Sequence, residues 1–464
     1  MGIEEISEAK KEDLPQVEMD NYVITYSPTG GYIFSVRSNA FEQDLGFENI
    51  GVVPSHKGIE FAAEVQNNKL MFVSADGVKK TYTFEGNQLK IEFSSNEKQV
   101  VLFSNALSTN MLDQRYQEFF YSTEEGVQRK AFKKIVPKKS LVSRATGSLQ
   151  GQEAPLVSNE ISFENVKFAG SRGRYFCAAL IEGDYDIRWV KGEKGKTIAL
   201  YANNPGAEIT LYLGPQKKEL LKPLGLQGVI HYGFFHGIGV VMVKILHLLH
   251  LAVRNWGLCV ILFSSGLYLL LYPLTSKSTK GMMEMREFQE AHNEEIKKLK
   301  NKYKDNPQKL HQETLTFYKK HNFNPMKGCS SSCLPMFFQI PIIWAFWNVV
   351  PRALEFKGAK FLWIKDLSLP DRLFHLPFSL PFNLGPWINI LPILTAILMY
   401  MQMKFTSPAV DSEQAQQQKI MATIFPVMMI LFLYNLPAAL LLYWFTNSLF
   451  TFHTQWKAAK KRTT

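Results

Sequence analysis

Two patterns divide the chain. From about residue 20 to about 215, apolar and polar positions alternate in short runs between Gly, Asn and Asp turns. "NYVITYSPTGGYIFSVRS" is two such runs around Pro-Thr-Gly-Gly. "KLMFVSADGVKKTYTFEGNQLKIEFSS" and "KTIALYANNPGAEITLYLG" repeat the design. A period of two puts alternate side chains on one face of a strand. No helical period separates the runs, so an antiparallel β-sandwich is predicted over 20–222. "GQEAPLVSNE" (151–160) reads as a loop, and 1–19 as a flexible polar segment.

The second half changes period. Residues 226–253 are long enough to span a bilayer. Yet Lys244, His247 and His250 share one side of a helical wheel. That predicts an amphipathic helix lying in the interface; the sharper alternative is a zinc site of His236, His247 and His250. Five apolar segments follow: Trp256–Leu274, Cys333–Val350, Trp387–Met403, Ile420–Leu436 and Ala438 to about Trp456. Each is near the length that crosses about 30 Å of hydrocarbon. Between the first two, residues 277–324 read as a helical hairpin. Met285, Phe288, Ile296, Leu299 and Tyr303 line one arm, and Leu310, Thr314, Phe317 and Tyr318 the other. "KDNP" turns it, with Pro307 suited to a first helical turn. Pro273 and Lys277 mark the membrane exit before it.

Charge orients these elements. The net charge of +11 reflects basic loops rather than sequence-specific nucleic-acid binding, and mean hydropathy near zero averages two unlike halves. About twelve Lys and Arg lie between Thr275 and Gly328, and the tail 457–464 is basic. Both belong in the cytoplasm, and four intervening crossings satisfy the parity. The β domain then lies on the opposite side, and an anchoring segment is expected ahead of residue 1. Cys177, Cys259, Cys329 and Cys333 imply neither a disulfide framework nor a metal site.

No Asp, Glu, Lys or Arg lies well inside the five segments, which speaks against ion-coupled transport and against intramembrane proteolysis. The polar residues there are uncharged: Ser264, Ser265, Tyr268, Gln339, Asn348, Thr395, Gln402, Asn435, Thr446 and Asn447. Singly, each reads as an interhelical hydrogen-bonding residue. Together they suggest a wetted groove that lowers the cost of moving polar segments partway through a bilayer.

Several stretches carry a resemblance: "NWGLCVILFSSGLYLLLYPLTSKS", "HNFNPMKGCSSSCLPMFFQIPIIWAFW", "FLWIKDLS" and "QQQKIMATIFPVMMILFLYNLPAALLLYWFTNSL", in that order. They resemble the YidC-type membrane protein insertases, the bacterial members of a family with mitochondrial and chloroplast relatives. "RYFCAALI" and "LYLGPQKKELL" are similar to the periplasmic β domain of its Gram-negative members. The resemblance implies a multi-pass protein of the bacterial inner membrane, with an N-terminal β-sandwich in the periplasm. An α-helical bundle of five transmembrane helices (254–456) would follow, its helical hairpin and tail in the cytoplasm. It implies no enzyme and no cofactor. A polar, lipid-open groove would insert nascent membrane proteins, alone or with the Sec translocon, served by the ribosome and signal-recognition machinery.

Carried over by position, Gln402, Trp444 with adjoining Tyr443, and Ser264 fall on the groove, and Cys333, Gln339 and Pro341 match the start of the second span; Ser265, Tyr268, Gln339 and Thr446 complete the expected groove as uncharged polar residues of the same segments. Met285, Phe288, Leu299, Tyr303 and Phe317 fall on the recruiting hairpin. At Tyr268 the family usually places an arginine, the groove's single positive charge. Two other readings remain: a small-solute transporter or channel using the same cavity, and a membrane-anchored envelope binding or chaperone module working through the β domain.

Overall fold

The computed structural model describes residues 13–464 except 95–96, 107, 109–110, 115, 124–125, 132–159, 182, 184, 192–196, 204, 304–305, 324, 383, 407–412 and 464. For 325–336, 404–406, 413–419 and a few single positions it describes the backbone alone. The chain forms two compact units, residues 1–231 and 232–464.

The first unit is two antiparallel sheets. One runs edge to edge through Gln16–Met19, Tyr22–Ser27, Tyr32–Ser38, Gln43–Ile50, Gln99–Ala106, Thr197–Asn203, Tyr185–Lys191 and Glu160–Val166. The other runs through Gly126–Ala131, Glu118–Thr123, Ala169–Arg172, Phe176–Ile181, Glu208–Pro215, Gln88–Phe93, Lys79–Glu85, Lys69–Ser74 and Phe61–Gln66. Their inner faces meet. Trp189 of the first sheet lies 4.4 Å from Phe119 of the second, and the Tyr22 hydroxyl crosses to Asn87 Oδ1 at 2.5 Å and to the Leu213 carbonyl at 3.1 Å. The alternation in "KLMFVS" is realised as Leu70, Phe72 and Ser74 buried, with Lys69, Met71 and Val73 turned outward. The Pro-Thr-Gly-Gly turn needs its glycines. Gly31 has φ +56°, and a Cβ there would meet the Phe61 ring at 3.0 Å. The predicted loop at 151–159 lies outside the described residues, and Glu160 already begins a strand.

Lys80 lies fully buried between the sheets, donating to the carbonyls of Gly30 (2.7 Å) and Gly31 (3.2 Å). Burial pushes its ammonium down to about 7, with Glu97 partly opposing. Nearby, His56 faces Glu97 at 3.4 Å.

The second unit is helical: α1 His236–Val253, α2 Trp256–Ala291, α3 Asn293–Lys302, α4 Pro307–Lys320, α5 Pro325–Val349, α6 Ile390–Thr406, α7 Glu413–Leu433 and α8 Ala438–Thr463. Each of the five apolar segments falls on one of them, with shifted edges. Among the described residues, α1 and α2 are long and apolar enough to cross a membrane, while Phe337–Val349, Ile390–Met403 and Thr423–Leu433 are shorter apolar stretches. The amphipathic segment expected over 226–253 is helical only from His236. Its outward side includes Ile238, Val241, Ile245, Leu248 and Leu251 as well as Lys244, so the outer face is largely apolar. Met242 and Leu246 pack inward against Val260, Phe346 and Val349.

Two boundaries differ from expectation. α2 does not stop near the exit proline: it carries Pro273 inside and runs on to Ala291. Proline removes one backbone donor, while the Thr275 and Ser276 hydroxyls donate back to the carbonyls of Tyr272 and Pro273 at 3.1 and 3.2 Å. And Trp387 does not begin a helix. It lies in a two-stranded hairpin, Phe374–Leu380 with Gly385–Ile388, that precedes α6.

A compact platform precedes that hairpin. Buried Asp371 accepts from the backbone of Ile390 (2.7 Å) and Leu391 (3.0 Å) and from Trp363 Nε1 (3.3 Å), capping α6. The carbonyls of Leu369 and Leu367 accept from Ala438 and Ala439 at 2.7 and 2.9 Å, at the start of α8. The platform also meets α2, where Gly257 lies so close to Phe361 that a Cβ would sit 2.2 Å from its ring.

Candidate functional site

The groove residues converge on one helix. From α5, Gln339 Nε2 donates to the Tyr443 hydroxyl at 2.7 Å, and Tyr443, fully buried, stacks on Phe346 at 4.4 Å. From α6, Gln402 Nε2 donates to the Ser448 carbonyl at 2.6 Å. From α2, the Tyr268 hydroxyl donates to the Phe450 carbonyl at 3.2 Å, bonds Thr454 Oγ1, and rests its ring on Phe450 at 5.1 Å. Three helices thus reach α8 at positions 443, 448 and 450–454. At the rise of a helix these positions cover about 16 Å, roughly half the hydrocarbon thickness.

The remaining groove hydroxyls behave differently. Ser264 and Ser265 donate to the carbonyls of Val260 and Ile261, at 2.6 and 2.7 Å, and Thr446 donates to Leu442 at 2.7 Å. Each donates one turn back within its own helix, so its hydroxyl proton is already used. Trp444 is half-buried against the helical core. Pro341 is half-buried on α5, and the Cys333 side chain lies outside the described residues. His236 stacks on Tyr232 at 5.7 Å, while His247 and His250 flank Trp256, so the three histidines do not gather.

In the hairpin region, the end of α2, the residue that follows it, and α4 with the residues after it build an aromatic knot around Phe288. It stacks on Phe323 at 4.2 Å and His292 at 4.3 Å, with Tyr318 at 5.4 Å and Phe317 at 6.2 Å. Met285 and Leu299 are half-buried, and the ring of Tyr303 lies 5.5 Å from both Lys302 and Lys309. Asn306 caps α4 through the Lys309 amide at 3.1 Å, just ahead of Pro307.

Sequence reasoning did not name Ser448, Phe450 and Thr454 as the receiving groups. Two of these three groups on α8, Ser448 and Phe450, receive through their backbone carbonyls, and a carbonyl leaves no trace in side-chain pattern. Asp371 was missed too. Its signal was available: it is the last acid before the charge-free run from Leu373 to Met403.

Residues 248–464 match the model of the 60Kd inner membrane protein family. The YidC membrane protein insertase of Endomicrobium trichonymphae is 32% identical over 306 residues, 65% of this chain and 53% of that one. The YidC insertase of Prosthecochloris aestuarii is 34% identical over 341 residues, 68% of this chain and 56% of that one. That of Chloroherpeton thalassium is 28% identical over 398 residues, 81% and 65% respectively. This chain therefore spans between about half and two thirds of their length. A solved structure of an active YidC insertase with its first transmembrane domain resolved aligns with 95% of this chain and 93% of its own, at 19% identity and a TM-score of 0.42. By the matched family model and these relatives, residues 248–464 carry the pattern of the 60Kd inner membrane protein family, and the chain is similar to YidC membrane protein insertases.

Proposed function

We propose that this chain inserts nascent membrane proteins into the bacterial inner membrane without enzymatic chemistry, through a groove bounded by α2, α5, α6 and α8. In this reading α2, α5, α6, α7 and α8 are the five spans. The β unit is periplasmic, and α3, α4 and the basic tail are cytoplasmic. Ribosome, signal-recognition and Sec contacts belong to the same proposal. The observation that carries it is the convergence on α8 of uncharged polar side chains from three other helices, within residues matching an inner-membrane family.

Interhelical hydrogen bonds of this kind are worth about 1 kcal/mol each in a membrane. Exchanging them for bonds to an incoming polar segment therefore costs little, and every backbone group that enters finds a partner. The apolar part of the segment then leaves into lipid, where no water has to be excluded. Tyr268 gives the groove a hydroxyl but no charge, so it offers an acidic segment hydrogen bonding without Coulomb attraction.

The test is insertion of a small single-span substrate into proteoliposomes, read by protease protection, with neutral and acidic tails. The parent chain should protect the neutral-tail substrate. Tyr268→Arg, whose guanidinium inherits the Phe450 carbonyl and Thr454 as acceptors, should gain the acidic one. Solute flux through the parent with no protected substrate would overturn the proposal in favour of a channel.

A further inference from the structure

The hairpin between α5 and α6 is a strongly exposed apolar element of the helical unit. Phe374 is 59% exposed, Phe378 61% and Phe382 79%. From Leu373 to Met403 there is no Asp, Glu, Lys or Arg. The pairing is only two strands deep, Phe374 with Ile388 and Leu380 with Gly385, and it slips register in between. An isolated two-stranded hairpin is marginal in water, and an apolar patch of this kind marks an interaction surface. Phe382 at its tip has φ +59°, and Leu362 in the platform, 75% exposed, has φ +50°. Bulky side chains seldom take that conformation, and here it turns them outward.

We propose that this hairpin is inserted in the headgroup–acyl boundary of the leaflet opposite the basic tail, with phospholipid as its occupant. Three features favour lipid over a protein partner. The hairpin is rooted on the platform that caps α6 and receives α8, so its base is level with the starts of two apolar helices. Trp256, Trp363 and Trp387 lie at that same end, the Trp387 ring 5.9 Å from the Arg372 guanidinium, as belt residues do. And Lys360, Lys365 and Arg372, all exposed, ring the root of a charge-free projection. Cations at the foot and aromatics at the tip match phosphate above hydrocarbon. This placement of the hairpin rests on the chain being a membrane protein and is independent of insertase activity.

The test places a nitroxide, through a genetically encoded ketone side chain, at Ser379 in the full-length chain in liposomes. Ser379 is exposed and lies beside the three phenylalanines, which stay in place. Collision with oxygen is compared with collision with a water-soluble nickel chelate. References are Leu270, exposed on α2, for lipid, and Gln308, exposed on α4, for water. The oxygen-to-nickel ratio at Ser379 should exceed that at Gln308 several-fold. Phe378→Ser with Phe382→Ser should bring it back toward the Gln308 value. A ratio equal to that at Gln308 in the parent overturns the proposal, as does protection from both colliders, which means a protein cover. Persistence of the high ratio in the double variant also overturns it. If Leu270 itself reads as aqueous, the membrane assignment fails together with the proposal; a lipid reading at Leu270 alone removes only the hairpin.

Discussion

At the scale of single residues, two polar groups in apolar surroundings behave in opposite ways. Tyr268 is neutral and shares its hydroxyl with α8, so it adds a tie without a desolvated charge. Lys80 is a buried amine whose charge is penalised by burial. Between about pH 7 and pH 10.5 the unfolded chain still holds the Lys80 proton while the folded chain has released it. Folding stability therefore rises with pH across that window, by up to about 1.4 kcal/mol per pH unit for one proton, and the penalty is complete below pH 7. In Lys80→Met that rise should vanish, as read by hydrogen exchange of the Lys79–Glu85 strand in the solubilised chain at several pH values, corrected for intrinsic rates. An unchanged slope would place the titration elsewhere. Neither position could be interpreted from neighbours in sequence. Lys80 follows another lysine in a strand that alternates, and only the fold shows that its acceptors are the Gly30 and Gly31 carbonyls.

At the scale of elements, strands in the first unit were legible because one face is wet. Water on one side and core on the other writes the alternation into "KLMFVS". Where both faces are apolar that contrast is lost. Between α5 and α6 both the hairpin and the start of the helix are apolar, so period and polarity could not separate them, and Trp387 was read as the edge of a span. The continuation of α2 past Pro273 was hidden for a related reason: a proline predicts a lost donor but not whether neighbouring hydroxyls hold the helix together. Asp371 bears on α6 as an element. It supplies one carboxylate to two amides and an indole. Asp371→Ala should cost about 2 kcal/mol, the upper range for a lost cap. The loss should appear as a lower melting temperature and faster exchange at Ile390 and Leu391. Asp371→Asn, which keeps one acceptor oxygen, should lose less. No change in either would mean the platform is held by its other bonds.

At the scale of the whole molecule, the family match begins at residue 248 and so falls in the helical unit. Gln402→Leu or Trp444→Ala should therefore weaken insertion in proteoliposomes more than removal of residues 16–222. Equal or greater damage from the deletion would move the working part to the sheets. The order of the helices in the chain has a further consequence. Tyr268, Gln339 and Gln402 each carry a side-chain tie from α2, α5 or α6 to α8, and α8 comes after all three helices. While a ribosome is still making this chain, Tyr268, Gln339 and Gln402 are already synthesised and the groups that receive them are not. Those three ties to α8 can therefore form only once residues 438–454 have emerged. A chain stopped short of that point would lack the acceptors that Tyr268, Gln339 and Gln402 use on α8 in the finished fold.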